Sequence, residues 1–304
     1  MVRIKDILRE FRAEFLTASV LPALLGLSVA VYETGRWEPY LFFLTLAGAV
    51  FLHIGTNVAN DYFDHLSGAD EANLEFARPF TGGSRLIQGK RIPPGAVLTI
   101  AVLFYLAATA AGVLLIMARG ATILLFGLFG LFLGIFYTAP PVRLGARGAG
   151  EAAVGLGYGL ITAGTYFVQT GTFSAAGAAA SFPLAFLVAA IVTINEFQDA
   201  AGDAAAGKRT LVVRLGRKRA VRFYSLLMIG GFVSIAAGAA FGLMPALALT
   251  ALLPALLAFR AISVARRFHD DPAALVPANA LTIVCHLATG ALLIAAFFVS
   301  AART

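Results

Sequence analysis

The chain has 304 residues, 60% of them hydrophobic and only 13% charged, against about 45–50% and about 25% in a typical soluble domain. That balance excludes an ordinary water-soluble fold, and a single cysteine, Cys285, excludes an intrachain disulfide and a cysteine-ligated metal cluster. The formal charge of +7 invites nucleic acid as a partner, but no patch interleaves aromatic and basic residues as single-strand binding requires.

The N-terminal segment is amphipathic and charged (Arg3, Lys5, Asp6, Arg9, Glu10, Arg12). The apolar run after it lacks a small-residue cleavage site, so a retained helix is expected rather than a signal peptide. A membrane-spanning helix needs roughly 20 apolar residues. Such runs fall at about 14–32, 39–60, 95–118, 121–138, 149–170, 182–199, 221–242, 243–262 and 277–300. The expected architecture is therefore an all-α, polytopic membrane protein of nine transmembrane helices. Lys and Arg concentrate on alternate connections, with only Arg36, Arg119 and Arg303 on the other side. The positive-inside rule then puts the N-terminus and the loops at about 61–94 and 199–220 in the cytoplasm, beneath the cell membrane. The net charge is on this reading a topology signal, aided by anionic lipid, and no nucleic acid partner is expected.

Half of the 16 acidic residues lie in two segments where an apolar helix runs out toward the cytoplasmic side. The first holds Asn57, Asn60, Asp61, Asp64, Asp70 and Glu71, with Glu75 beyond; the second holds Asn195, Glu196, Gln198, Asp199 and Asp203. An ionisable group in a span costs at least about 2.5 kcal/mol at mid-helix and so lines a cavity or pathway. Asn57 and Asp61, Asn60 and Asp64, and Asp199 and Asp203 are each four residues apart, which stacks each pair on one helix face. Two such helix ends facing one another repel unless a hard divalent cation lies between them. Mg2+ bridging carboxylates to a substrate phosphate meets that need, and the lack of thiolate pairs and paired histidines argues against zinc. Glu71 and Glu75 are expected to be solvated loop residues. A basic stretch follows each cluster: Arg78, Gly82, Gly83, Ser84 and Arg85 after the first, Gly207, Lys208 and Arg209 after the second. Guanidinium forks and glycine-exposed amides suit a diphosphate. Arg78, Arg85 and Lys208 are the candidates, while Arg217, Lys218, Arg219 and Arg222 are expected to be topology anchors.

At these residues the sequence resembles the UbiA superfamily of intramembrane prenyltransferases. Its signatures, Asn-Asp-x-x-Asp after the second helix and Asp-x-x-x-Asp after the sixth, read here Asn60-Asp61-Tyr62-Phe63-Asp64 and Asp199 to Asp203. The likeness runs over nearly the whole chain, taken as a single domain, 1–304. Four further stretches look like the branch that prenylates 1,4-dihydroxy-2-naphthoate in menaquinone synthesis. They are Gly68-Ala69-Asp70, Gly82 to Arg85, Tyr137 to Pro141 with Leu144 to Gly148, and Asp203 through Lys208 to Gly216. One position departs: Gly68 stands where many members carry another Asp. That argues against the 4-hydroxybenzoate and haem branches and leaves open whether Asp70 reaches a metal. The resemblance implies a helical bundle around a central cavity, capped by the two loops and opening sideways for a lipid tail. It implies catalytic carboxylates at Asp61, Asp64, Asp199 and Asp203, with Mg2+ held by Asn60, Asp64, Asp199 and Asp203. Asn57 would lie at the diphosphate with Arg78, Arg85 and Lys208, and Tyr62, Phe63, Phe136 and Tyr137 would shield an allylic cation. The partners implied are a polyprenyl diphosphate, an aromatic acceptor and membrane lipid.

Competing readings are another quinone head group or a glycerol-phosphate lipid precursor as acceptor. From another class, an ion-coupled transporter would carry its charges near mid-membrane on broken helices. His53 is read as helix packing, His65 as a neighbour of the first cluster, His269 and His286 as loop and helix residues, and Cys285 as a small buried apolar group.

Overall fold

A computed structural model describes residues 3–303, and throughout them the regular structure is helical. A short helix α1 (Ile4–Glu10) and a 3-10 turn (Ala13–Phe15) lead into α2 (Thr17–Thr34), α3 (Pro39–Ser67) and the one-turn α4 (Ala69–Ala72). A long loop precedes α5 (Pro94–Arg119) and α6 (Thr122–Phe136); a second loop, with a 3-10 turn at Gly145–Arg147, precedes α7 (Gly150–Thr170) and α8 (Ala175–Ala205). The short α9 (Leu211–Leu215) is followed by α10 (Arg217–Ala240), a 3-10 stretch (Ala246–Leu252), α11 (Ala255–Phe268) and α12 (Val276–Ala301).

Local chemistry sets several boundaries. Pro39 and Pro94 open α3 and α5, where the missing N–H is no loss and φ is already helical. Ser174 caps α8, its hydroxyl accepting the Gly177 N–H at 2.9 Å. Helix α3 stops at Gly68, whose φ of +74° is a left-handed C-cap that a residue with a Cβ adopts only at a cost. The position at which the resemblance would place an Asp is thus used here to end the helix.

The molecule is apolar outside and partly polar inside. Leu103, Leu106, Met117, Leu125, Leu226 and Phe259 are exposed, whereas Thr162, Thr165, Asn279, Thr282 and His286 are buried. A hydrocarbon surrounding demands that inversion, because polar groups there must be paired or enclosed. Packing and buried hydrogen bonds hold such helices together. Tyr224 meets Thr282 at 2.6 Å, and the Asn279 side-chain amide donates to Asn195 Oδ1 at 2.8 Å. Cys285 is buried in the cluster of Leu187, Phe197, Tyr224 and Met228, as a small apolar group would be. The chain is a polytopic α-helical membrane protein.

The expected count of nine spans is corrected to about seven. Among the described residues, seven helical runs are long and apolar enough to cross a membrane: Thr17–Thr34, Pro39–Ser67, Pro94–Arg119, Ala175–Ala205, Arg217–Ala240, Ala246–Phe268 and Val276–Ala301. The run expected at 121–138 forms an α-helix of only 15 residues, roughly 22 Å by helical rise against a hydrocarbon core of about 30 Å. The run expected at 149–170 is long enough, but it carries Glu151, Thr162, Thr165 and Gln169, all buried, and its glycines lower its hydropathy further. Helix α7 packs against α2 and α8. The cytoplasmic placing of the N-terminus, drawn from the distribution of Lys and Arg, is not fixed by the fold.

Helix α3 packs along α5, α8 against α7 and α10, and α12 against α2 and α11. The connections gather at two ends. At one, the turns after α2, α5 and α7 meet: Arg119 donates to the carbonyls of Val168 and Gln169 at 2.6 and 3.3 Å and pairs with Glu38 at 3.5 Å. At the other, the loops after α4, α6 and α8 come together, and there the acidic helix ends lie.

Candidate active site

A cavity of about 720 Å³ runs between α2, α3, α5, α6, α7 and α8. One end is polar and the remainder largely apolar, with Val113, Ile116, Leu124, Leu128 and Leu131 in its wall. The polar end is formed by the tips of α3 and α8 together with the loops that follow them. Helix α3 contributes Asn57, Asn60 and Asp64, α8 contributes Asn195, Glu196, Asp199 and Asp203, α4 adds Asp70, and the loops add Asn73 and Lys208. Asp64 and Asp199 therefore line one cavity rather than opposite sides of the bundle.

The geometry at this end is tight. Lys208 Nζ lies 2.8 Å from Asp64 Oδ1 and 3.0 Å from Asp203 Oδ1, joining the two helix tips through one ammonium. Asn60 donates to Asp64 Oδ2 at 3.1 Å, and Asn73 donates to Asp199 Oδ1 at 2.5 Å. Burial works against the Lys208 charge, yet the two carboxylates outweigh it and hold the ammonium above its ordinary pKa. On α4, burial and then the nearby Asp64 and Asp61 charges push the Asp70 carboxyl up to about 8. Among the described residues no three His, Cys, Asp or Glu side chains converge on one point; the positive charge between the tips is Lys208. The donors available to a cation are oxygens of Asp and Asn, the set that suits a hard divalent ion.

The remaining candidates lie outside the cavity wall, except Tyr137, which lines it. Asp61, one residue round α3 from Asn60, is buried outside the wall and accepts the Ser84 N–H at 2.8 Å. A Cβ on Gly83, whose φ is +66°, would sit 2.8 Å from Asp61 Oδ1, so glycine is what lets this loop close on the carboxylate. Tyr62 and Phe63 pack with the Ile54, Leu86 and Val97 cluster beside α5, their rings 5.2 Å apart. Phe136 packs against Phe132 at 5.2 Å. Arg85 donates to the carbonyls of Asp70 and Asn73 and covers the Phe76 ring at 4.1 Å. Arg78 is exposed and donates to the Ser84 carbonyl at 3.3 Å. Arg217 is more than an anchor: it pairs with Glu75 at 2.7 Å and donates to the Phe197 carbonyl at 3.1 Å, tying the two loops together.

The contacts of three residues are not legible in the sequence. Asn73 reaches Asp199 across a gap of 126 residues, which no local spacing signals. Glu10, buried on α1, accepts the Ser84 hydroxyl at 2.6 Å beside Asp61; a charge on an amphipathic segment gave no hint of it. His53 turns into the cavity with Ser19 and Tyr158, where the four-residue step from His53 to Asn57 was the available signal.

Comparison with known proteins bears on this site. The UbiA prenyltransferase family matches residues 19–284. A 1,4-dihydroxy-2-naphthoate octaprenyltransferase of Bacillus subtilis is 30% identical over 211 residues, covering 69% of this chain and 66%, just under two thirds, of that protein. A 2-carboxy-1,4-naphthoquinone phytyltransferase of Synechocystis is 28% identical over 92% of this chain and 89% of its own. A solved structure of a UbiA homologue from Archaeoglobus fulgidus bound to GPP and Mg2+ superposes with a TM-score of 0.63 at 16% identity, covering 95% of this chain and 99% of that one; it shares the fold.

Proposed function

Because the chain belongs to the UbiA prenyltransferase family and is a membrane-embedded prenyltransferase, we propose that it transfers a prenyl group from a polyprenyl diphosphate to 1,4-dihydroxy-2-naphthoate in menaquinone synthesis. The observation that carries this reading is the cavity itself. Its polar end joins two acidic helix tips and a lysine, and its long apolar remainder suits a hydrocarbon tail. A substrate with a charged head and a lipid tail needs both. The two naphthoquinone-type relatives support a bicyclic acid as acceptor.

Asn60, Asp64, Asp199 and Asp203 would hold Mg2+, which when bound stabilises charge on the departing diphosphate. The chain's own groups do the rest. Lys208 supplies a charge-assisted donor to the diphosphate, with Asn57 beside it in the cavity wall. Arg78 meets the diphosphate from the water side, while Arg85 keeps α4 and Asn73 in place over the site. The allylic C–O bond breaks with its electron pair going to the diphosphate oxygen, and a ring carbon of the acceptor then attacks the allylic carbon. The ring regains aromaticity by losing its carboxyl group or a proton. The apolar wall excludes water, and the Tyr137 ring attracts the cation by about 0.5–2 kcal/mol. The basic loops at the site end support a cytoplasmic position for that end.

The test is diphosphate release and prenylated product from GPP and 1,4-dihydroxy-2-naphthoate as Mg2+ is titrated against EDTA. Activity is expected to vanish in EDTA, and Asp64→Ala and Asp199→Ala to abolish it at any Mg2+ concentration while the protein stays inserted. Undiminished turnover in EDTA, or near-normal activity in either variant, would overturn the metal assignment.

A further inference from the structure

Helix α3 carries a polar stripe that continues beyond the charged end of the cavity. His53, Asn57, Asn60 and Asp64 are spaced by four, three and four residues, which puts all four on one face. By helical rise His53 lies about 10 Å further along α3 than Asn60. It lines the cavity together with Ser19 of α2 and Tyr158 of α7. Ser19 Oγ is 2.8 Å from His53 Nδ1, and the Tyr158 hydroxyl is 3.1 Å from Nε2. The wall around them holds Leu52, Val154 and Ile161, and the Arg12 charge acts on both His53 and Tyr158.

Three helices thus each deliver one polar side chain to one point of the wall, where an unpaired polar group is costly. A neutral imidazole and two hydroxyls together own three donors. The two contacts through His53 use two of them whichever tautomer is present. Ser19 and Tyr158 also hydrogen-bond each other, which takes up the third donor; Ser19 is fully buried, while Tyr158 lines the cavity. The Tyr158 oxygen keeps one lone pair, and a hydroxyl arriving from the cavity side can donate to it.

We propose that Ser19, His53 and Tyr158 form the head-group subsite for the acceptor, hydrogen-bonding a ring hydroxyl of a hydroxy-aromatic acid and so fixing which ring carbon faces the Asp64–Asp203 end. The proposal rests on the aromatic-acceptor reading above. The subsite lies along α3 from the diphosphate end by a distance comparable with the length of a bicyclic ring system, and an acceptor spanning it brings a ring carbon toward the allylic carbon.

The experiment uses the full-length enzyme in detergent, GPP as donor, and two acceptors, 1,4-dihydroxy-2-naphthoate and 1-hydroxy-2-naphthoate, which lacks one ring hydroxyl. Tyr158→Phe and His53→Gln are expected to raise the acceptor KM about tenfold, the factor expected for one lost hydrogen bond, and to leave the KM for GPP unchanged. The wild-type preference for the dihydroxy acceptor is expected to shrink toward unity in both. Ser19→Ala, which changes volume little, carries the same test where His53→Gln fails to accumulate. Variants that keep the wild-type acceptor KM and preference would overturn the subsite while leaving prenyl transfer intact. A wild-type enzyme that prenylates neither acceptor would instead overturn the aromatic-acceptor reading, and the subsite with it.

Discussion

Lys208 lies between carboxylates of two different helices, 2.8 Å from Asp64 and 3.0 Å from Asp203, with its side chain 11% exposed. Removing one partner of a largely buried ion pair leaves the others uncompensated and costs up to about 3–5 kcal/mol; the 11–19% exposure of these side chains points to the lower part of that range. Lys208→Met is therefore expected to lower the melting temperature in detergent and to cut prenyl transfer about 100-fold, the scale of losing one charge-stabilising donor. Adding Asp203→Asn should recover part of the stability and none of the activity. Purely additive stability losses in that double-mutant cycle would remove the proposed coupling. Lys208 is legible in the sequence because it follows Asp203 closely. Its contact with Asp64 is not, because the pairing of helix tips is a property of the packed bundle. The same holds for Asp61, whose motif position marks it as a site residue while its side chain points to Ser84.

Helix α1 is an element whose role only packing reveals. It is docked by Asp6, which pairs with Arg91 at 3.2 Å, and by Glu10, which accepts from Ser84. Burial, and then the neighbouring Asp61 charge, push the Glu10 carboxyl up to about 8. The raised value means that the docked form prefers Glu10 protonated. Its contribution to docking is complete below the ordinary glutamate pKa and is lost as pH rises through about 8. Glu10 Oε1 and Asp61 Oδ1 are buried without a donor, and a proton on Glu10 is the donor that satisfies them. Amides of α1 are expected to exchange faster at pH 9 than at pH 6.5 after correction for intrinsic rates, and Glu10→Gln should abolish the difference. Equal protection of wild-type α1 at both values would remove the proton from the clasp. The long helices, by contrast, were plain from their apolar runs, since length and hydropathy are local properties. An apolar run fixes neither the length of the helix it forms nor its surroundings: 121–138 yields a helix of only 15 residues, and 149–170 carries buried polar side chains. Glu151 and Gln169, buried on α7, carried the warning.

At the scale of the whole molecule, the bundle has two unlike ends. One gathers the turns after α2, α5 and α7 around Arg119 and Glu38; the other carries the acidic tips, the Gly-rich loops and most of the basic residues. An asymmetric charge distribution orients a membrane protein with the basic end inside, where Lys and Arg also gain from anionic lipid. On the proposed reading the site end faces the cytoplasm, and a water-soluble acceptor acid reaches it from there. The chain's single cysteine is buried, so a membrane-impermeant thiol reagent reads only an introduced one. Cysteines at the exposed positions Lys90 and Lys218 are expected to label in inside-out vesicles alone, and those at Arg36 and Thr172 in right-side-out vesicles alone. Labelling of all four from one side would refute the two-ended packing, since Arg36 and Thr172 would then share a face with the site. Exchange of the two sets would keep the packing and reverse the orientation, leaving the acceptor to arrive from the opposite compartment.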